Sequence, residues 1–252
     1  MQALSDVERR IRTAGRVSLY LDFDGTLAPI VPDPSAASLD PETRETLRRI
    51  VARERMVAAI ISGRAVEDLY TRIRLDGLIY AGNHGMEIFG RNLCFVDPAA
   101  AARREPMRQL SEELAARLES VPGTQVDYKG LTTSIHYRQA AAAGIRETEE
   151  AVRAAVAAAG PGFCLNSGRK VFEIVPRTNW HKGAAVQWIN RQLGNGEVLP
   201  IYLGDDSSDE DAFSVLPDAI TVKVGRPAVT SARYRLPDPA AVHEFLAWLE
   251  SR

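Results

Sequence analysis

Apolar and polar positions divide the 252-residue chain into three stretches of different rhythm. In the first, the runs of apolar and β-favouring residues Val17–Leu21, Met56–Ile61 and Leu78–Ala81 alternate with segments whose apolar residues recur at helical spacing. Runs of this kind predict strands buried on both faces, the hallmark of a parallel sheet wound by helical crossovers. Asp40-Pro41 opens one of the helices, an acceptor at the N-cap and proline in the first turn, and Leu47, Ile50 and Val51 form its inward stripe. Leu69 and Ile73 do the same in the next. Before them, Pro29, Pro32 and Pro34 force an extended loop.

After Asn83 the rhythm changes. The pattern predicts a hairpin around Gly90-Arg91-Asn92, a long helix near 100–120, strands near 124–128 and 132–137, a helix over 145–159, and strands around Phe163 and over 171–175. Helix, strand, strand, given twice, predicts a small antiparallel sheet with two helices on one face. Alternation resumes after Pro176 with a helix over 182–192, the apolar strand Leu199–Leu203, a further helix, a strand over 219–224 and a C-terminal helix bearing Val242, Phe245, Leu246 and Leu249. The predicted fold is therefore α/β. A Rossmann-like core over 1–83 and 176–252, with a parallel sheet and helices on both faces, is interrupted by an α+β insertion over 84–175.

Composition narrows the partners. With 31 basic and 33 acidic residues interspersed, a net charge of -2 offers no basic stripe for a phosphate backbone, so nucleic acid is not an expected partner. No apolar run approaches membrane-spanning length and the first ten residues lack the apolar centre of a leader, which points to a cytoplasmic address. Cys94 and Cys164 match neither a metal-ligand nor a C-x-x-C spacing and are expected to be reduced and buried.

Ligands of open parallel sheets bind beyond the carboxyl ends of the strands, and that is where this chain gathers its unusual residues. Asp22 and Asp24 stand two apart after the first strand and point the same way from an extended backbone, with Gly25 following. Ser62-Gly63 ends the second strand, Lys182 starts a helix, and Gly204-Asp205-Asp206-Ser-Ser-Asp209 ends the strand after the insertion. Taken singly, these read as helix caps and a solvated helix start. Taken together, carboxylates at one sheet end repel unless a cation or a proton intervenes. Asp22, Asp24, Asp205, Asp206 and Asp209 lie in loops without His or Cys, which suits a hard cation such as Mg²⁺ rather than zinc. Ser62 and the amides around Gly63 can bond phosphate oxygens, and Lys182 supplies a fixed positive charge.

In that order, Asp22-Phe-Asp24-Gly25-Thr26, Ser62-Gly63-Arg64, Lys182 and Gly204-Asp205-Asp206-Ser-Ser-Asp209-Glu210 resemble the four signature segments of the haloacid dehalogenase (HAD) phosphohydrolases, and the insertion resembles their type-two cap. Gly82-Asn83-His84-Gly85-Met86-Glu87, Lys129-Gly130, His136-Tyr137-Arg138, Glu173-Ile-Val-Pro176 and Lys182-Gly183 are similar to the trehalose-6-phosphate phosphatases. Where that family often has an acidic pair before the lysine, this chain has Asp127-Tyr128-Lys129.

The resemblance implies Asp22 as a nucleophile that forms an aspartyl-phosphate, Asp24 as general acid and base, and Gly25, Ser62, Gly63 and Lys182 with Asp22 about the phosphate. It further implies Mg²⁺ held by Asp22, the main-chain carbonyl of Asp24 and Asp205, with Asp206 and Asp209 in support. Asn83, His84, Glu87, Lys129, His136, Arg138 and Glu173 become the candidates for binding a sugar phosphate. Alternatives are a phosphatase for another sugar phosphate (sucrose phosphate, a glycosylglycerol phosphate or mannosyl-phosphoglycerate), a phosphomutase, or a non-catalytic sugar-phosphate sensor.

Overall fold

The computed structural model describes residues 2–168, 170–194, 198–225 and 229–252, the side chains of 2–4 excepted. These fall into two compact units, Met1–Phe95 with Trp180–Arg252, and Val96–Asn179. The chain lays down β1 (Arg16–Leu21), β2 (Met56–Ile61), β3 (Ile79–Gly82) and the hairpin β4 (Glu87–Gly90) and β5 (Leu93–Val96). The second unit contributes β6 (Gln125–Tyr128), β7 (Thr133–His136), β8 (Phe163–Gly168) and β9 (Val171–Pro176). Then come β10 (Val198–Gly204), β11 (Ile220–Val224) and β12 (Tyr234–Leu236). The helices are α1 (Gln2–Thr13), α2 (Pro41–Val51), α3 (Val66–Ile73), α4 (Pro98–Ala101), α5 (Arg104–Leu118), α6 (Ala142–Ala159), α7 (Lys182–Gln192), α8 (Glu210–Ser214) and α9 (Pro239–Glu250).

In the first unit the sheet order is β12-β11-β10-β1-β2-β3-β4-β5, parallel from β12 to β3. The strand apolar on both faces sits at its centre: β1 pairs Tyr20 with Tyr202 of β10 on one side and with Ala59 of β2 on the other. Leu19, Leu21 and Ile60 pack with Leu47 and Ile50 of α2, Leu69 of α3 and Leu246 of α9. Tyr20, Ile61 and Tyr202 pack with Val186 and Ile189 of α7 and Phe213 of α8. Each such side chain, removed from water, contributes about 2 kcal/mol. The Asp40 carboxylate accepts the Thr43 amide hydrogen at 2.9 Å, so the helix start expected at Asp40-Pro41 is built as a capped turn.

The second unit is a four-stranded antiparallel sheet, order β6-β7-β9-β8. Met107, Leu110 and Leu114 of α5 and Val152 of α6 pack on Ile135, Phe172 and Ile174. Burial along β9 has period two, so Glu173, opposite Ser134 of β7, lies on the sheet face away from that core.

Four expectations need correction. The hairpin expected to begin the insertion instead extends the first unit's sheet, Tyr80 pairing with Phe89, because Ile88, Leu93 and Phe95 add to an apolar cluster that includes Trp180 and Trp188. Cys94 is exposed rather than buried, since Leu93 and Phe95 take the inward positions on edge strand β5. Cys164 is half-buried, and both thiols are free. The long helix is two, α4 and α5. The three-residue β12, too short to leave a pattern, was not expected. Among the described residues no helix is long and apolar enough to cross a membrane.

Candidate active site

The centre forms where β1 and β10 end side by side. The Asp22 amide donates to the Leu203 carbonyl at 3.0 Å, fixing the strand tips together. The chain then folds back tightly: the Phe23 carbonyl accepts from the Leu27 and Ala28 amides at 3.0 and 2.8 Å, and the Gly25 amide donates to Ala28 at 2.7 Å. Gly25 has φ 88°, and a Cβ there would lie 2.3 Å from the Asp205 carboxylate. Only glycine gives both the left-handed turn and that approach. Phe23 goes into the core between the two aspartates.

Asp22, Asp205 and Asp209 bring carboxylate oxygens within 4.8 Å of one another. Lys182, at the first turn of α7 and 2% exposed, donates to Asp22 Oδ1 at 2.8 Å and to Asp209 Oδ1 at 2.7 Å. Its helix is capped by the His181 ring, which accepts from the Ala184 amide at 3.4 Å. Asp209 also receives the Tyr202 hydroxyl at 2.8 Å and, on Oδ2, the Asp206 amide at 2.9 Å. Three carboxylates around one ammonium leave an excess of negative charge. Burial drives the Asp22 carboxyl well above the usual range; Lys182 opposes this, while Asp209 and Asp205 add to it. Burial works against the charge on Lys182, but Asp209 and Asp22 outweigh it and keep the ammonium protonated. Burial and then Asp209 hold the Tyr202 hydroxyl neutral. Oxygen donors only, surplus negative charge and a loop stripped of a Cβ beside Asp205 fit a hard divalent cation.

The other predicted residues lie around this group or apart from it. Asp24 is outside it: both its oxygens accept from Arg64, at 2.6 and 2.7 Å. The Asp206 carboxylate caps the following turn at the Ser207 amide, while its carbonyl accepts from buried Lys223 at 2.7 Å. Ser62 is 2% exposed, and its hydroxyl accepts the Arg64 amide at 3.3 Å. Asn83 and His84, both at positive φ, hydrogen-bond through their amides to the carbonyls of Arg64 and Ser62 at 2.7 and 2.8 Å. Glu87 pairs with Gly82 at the start of β4.

In the second unit Lys129 Nζ lies 3.5 Å from Glu173 Oε1, with Ser134 Oγ at the same distance. His136 shares Ser134's side of β7, half-buried, and Arg138 is exposed just beyond the strand.

Sequence reasoning missed Tyr202, Lys223 and the pairing of Arg64. Tyr202 and Lys223 stand in apolar strands, where a lone tyrosine reads as core and a lone lysine as a strand end. The one signal was position, and only for Tyr202, which falls on the strand whose tip carries the acidic loop.

A wound parallel sheet with an acidic cluster and a buried lysine at its strand tips, carrying an inserted α+β unit, defines a haloacid dehalogenase-type α/β fold. The sequence profile of the trehalose-phosphatase family matches residues 20–240. A trehalose 6-phosphate phosphatase of Zea mays is 37% identical over 257 residues, covering 94% of this chain and 70% of its own length. The trehalose-phosphate phosphatase of Mycobacterium tuberculosis is 37% identical over 241 residues, covering 92% of this chain and 61% of its own. The C-terminal domain of the C. albicans trehalose-6-phosphate phosphatase superposes with a TM-score of 0.80 at 22% identity, over 98% of this chain and 96% of that domain. The chain belongs to the trehalose-phosphatase family.

Proposed function

We propose that the protein hydrolyses trehalose 6-phosphate to trehalose and phosphate, and that Asp22 is the attacking group. The observation that carries this reading is the Asp22–Lys182–Asp209 chain of hydrogen bonds at the tip of β1, beside Asp205. Asp22 attacks phosphorus, the P–O bond to the sugar breaks, and an aspartyl-phosphate forms; water then releases phosphate and returns the carboxylate. Asp24 gives a proton to the departing sugar oxygen and takes one from the water. Lys182, held between Asp22 and Asp209, balances charge beside the nucleophile and keeps its carboxylate oriented. Ser62, Gly63 and Gly25 provide phosphate contacts. We assign Mg²⁺ to Asp22, Asp205 and the Asp24 carbonyl; what such an ion supplies when bound is neutralisation of charge between carboxylate and phosphate. Asp209, its oxygens already engaged, and Asp206, engaged in its cap, support that site from behind.

Selection of the sugar we assign to Lys129, His136, Arg138 and Glu173 of Val96–Asn179, with Asn83, His84 and Glu87. A disaccharide offers hydroxyls and no charge beyond its phosphate, so polar side chains on a rigid sheet are what can discriminate it. Phosphate release from a panel of phosphosugars, with Mg²⁺ and with chelator, tests the reading. Trehalose 6-phosphate should be the preferred substrate and chelator should stop turnover. Preference for sucrose phosphate or mannosyl-phosphoglycerate would reassign the substrate.

A further inference from the structure

All three side-chain nitrogens of Arg64 are engaged. Its Nε and Nη2 donate to the two oxygens of Asp24 at 2.6 and 2.7 Å, a parallel two-point grip. Its Nη1 donates to Asp68 Oδ2 at 2.8 Å and Nη2 also to the Pro34 carbonyl at 2.9 Å, while its guanidinium lies 5.4 Å from the Phe23 ring centroid. Its main chain is tied at both ends, the amide to Ser62 Oγ and the carbonyl to the Asn83 amide. The Arg64 side chain is 10% exposed and that of Asp24 39%. Of the pair, then, Arg64 is the enclosed half and Asp24 the half that reaches solvent. Asp68 is shared with Arg72, whose Nε donates to both its oxygens at 2.9 Å, so Asp24 ends a chain of two cations and two carboxylates that runs from α3 to the loop after β1.

We propose that Arg64 is a positioning residue for Asp24, fixing the orientation in which that carboxylate meets the sugar oxygen and the water. The inference rests on the acid–base role given to Asp24 above. A lysine at this position cannot reproduce the grip, because an ammonium offers no planar fork.

Two substrates separate this role from general support of the fold. Trehalose 6-phosphate leaves as an alkoxide and needs a proton, whereas p-nitrophenyl phosphate leaves without one. Arg64→Gln should slow single-turnover transfer from the sugar phosphate by ~10–100-fold with KM changed less than about threefold, and leave the burst of p-nitrophenol within about threefold of wild type. In an Asp24→Asn background the same change should add nothing further. Arg64→Lys, which keeps the buried charge, should show the same pattern and carries the comparison if Arg64→Gln does not fold. Equal slowing of both substrates, or losses that multiply with those of Asp24→Asn, would overturn the assignment while leaving the acid–base role standing. Asp24→Asn at wild-type rate on the sugar phosphate would remove both.

Discussion

The two units hold their charged side chains in opposite ways. In the unit built on β1 and β10, Asp22, Lys182 and Asp209 are almost wholly enclosed and bonded to one another, with the Asp206 amide and the Tyr202 hydroxyl completing the shell. In Val96–Asn179, Lys129 and Glu173 stand on the sheet face away from that unit's core, 13% and 15% exposed and at a looser 3.5 Å. Charge enclosed at strand tips is strong and costly, which suits bond breaking; polar groups on a sheet face are cheap to rearrange, which suits choosing among sugars.

The contrast can be broken most directly at its centre. Asp22→Asn should cost a factor of about a thousand or more in kcat, roughly 4 kcal/mol of barrier, measured as phosphate release. A variant near wild-type rate would show that Asp22 is not the nucleophile. Lys182→Ala should lose about a hundredfold in kcat and also about 3 kcal/mol of stability in urea, because it strands buried carboxylates. Lys129→Ala, by comparison, should cost about 1 kcal/mol, since the carboxylate it pairs with lies at a looser 3.5 Å and is not wholly enclosed.

Smaller and more selective is Glu173→Gln. It should lower kcat/KM for trehalose 6-phosphate by ~10–50-fold, mainly through KM, and leave p-nitrophenyl phosphate hydrolysis nearly unchanged. An equal loss on both substrates would mean that Glu173 supports the fold instead of reading the sugar.

The smallest effect concerns stability and pH. Because burial raises the Asp22 carboxyl in the fold, the unfolded chain gives up this proton first as pH rises. The associated stability is complete at acid pH and is lost as pH climbs through the folded-state value. Without divalent ions, Asp22→Asn should therefore melt a few degrees above wild type at neutral pH, roughly 1 kcal/mol, and converge with it in acid. Convergence at neutral pH instead would show that Lys182 fully compensates the cluster.

What could be read in advance follows the range of each interaction. The buried strands, the Asp40 cap and the Asp-x-Asp turn are written in a few neighbouring residues, so periodicity and turn chemistry were enough. The pairing of Asp24 with Arg64, 40 positions apart, depends on which strands lie side by side, and that of Tyr202 with Asp209 on how the acidic loop folds back over the tip of its own strand. Hairpin ownership failed for the same reason: Ile88 and Phe95 have the same local pattern whichever sheet they join. Cys94 shows the reverse case, where alternation along β5 was available and a composition rule about cysteine misled.

Sheet order also has a consequence for synthesis. β1 sits at the middle of its sheet, yet one of its two partners is β10, so Arg16 must wait for Val198. A ribosome-bound chain that has not yet exposed Asp205 and Asp209 carries Asp22 with no assembled surroundings, and half of its central strand lacks hydrogen-bond partners. Truncation anywhere before the acidic loop should therefore give an inert, aggregation-prone fragment rather than a smaller phosphatase, and enzyme activity should appear only once that loop has been made and folded.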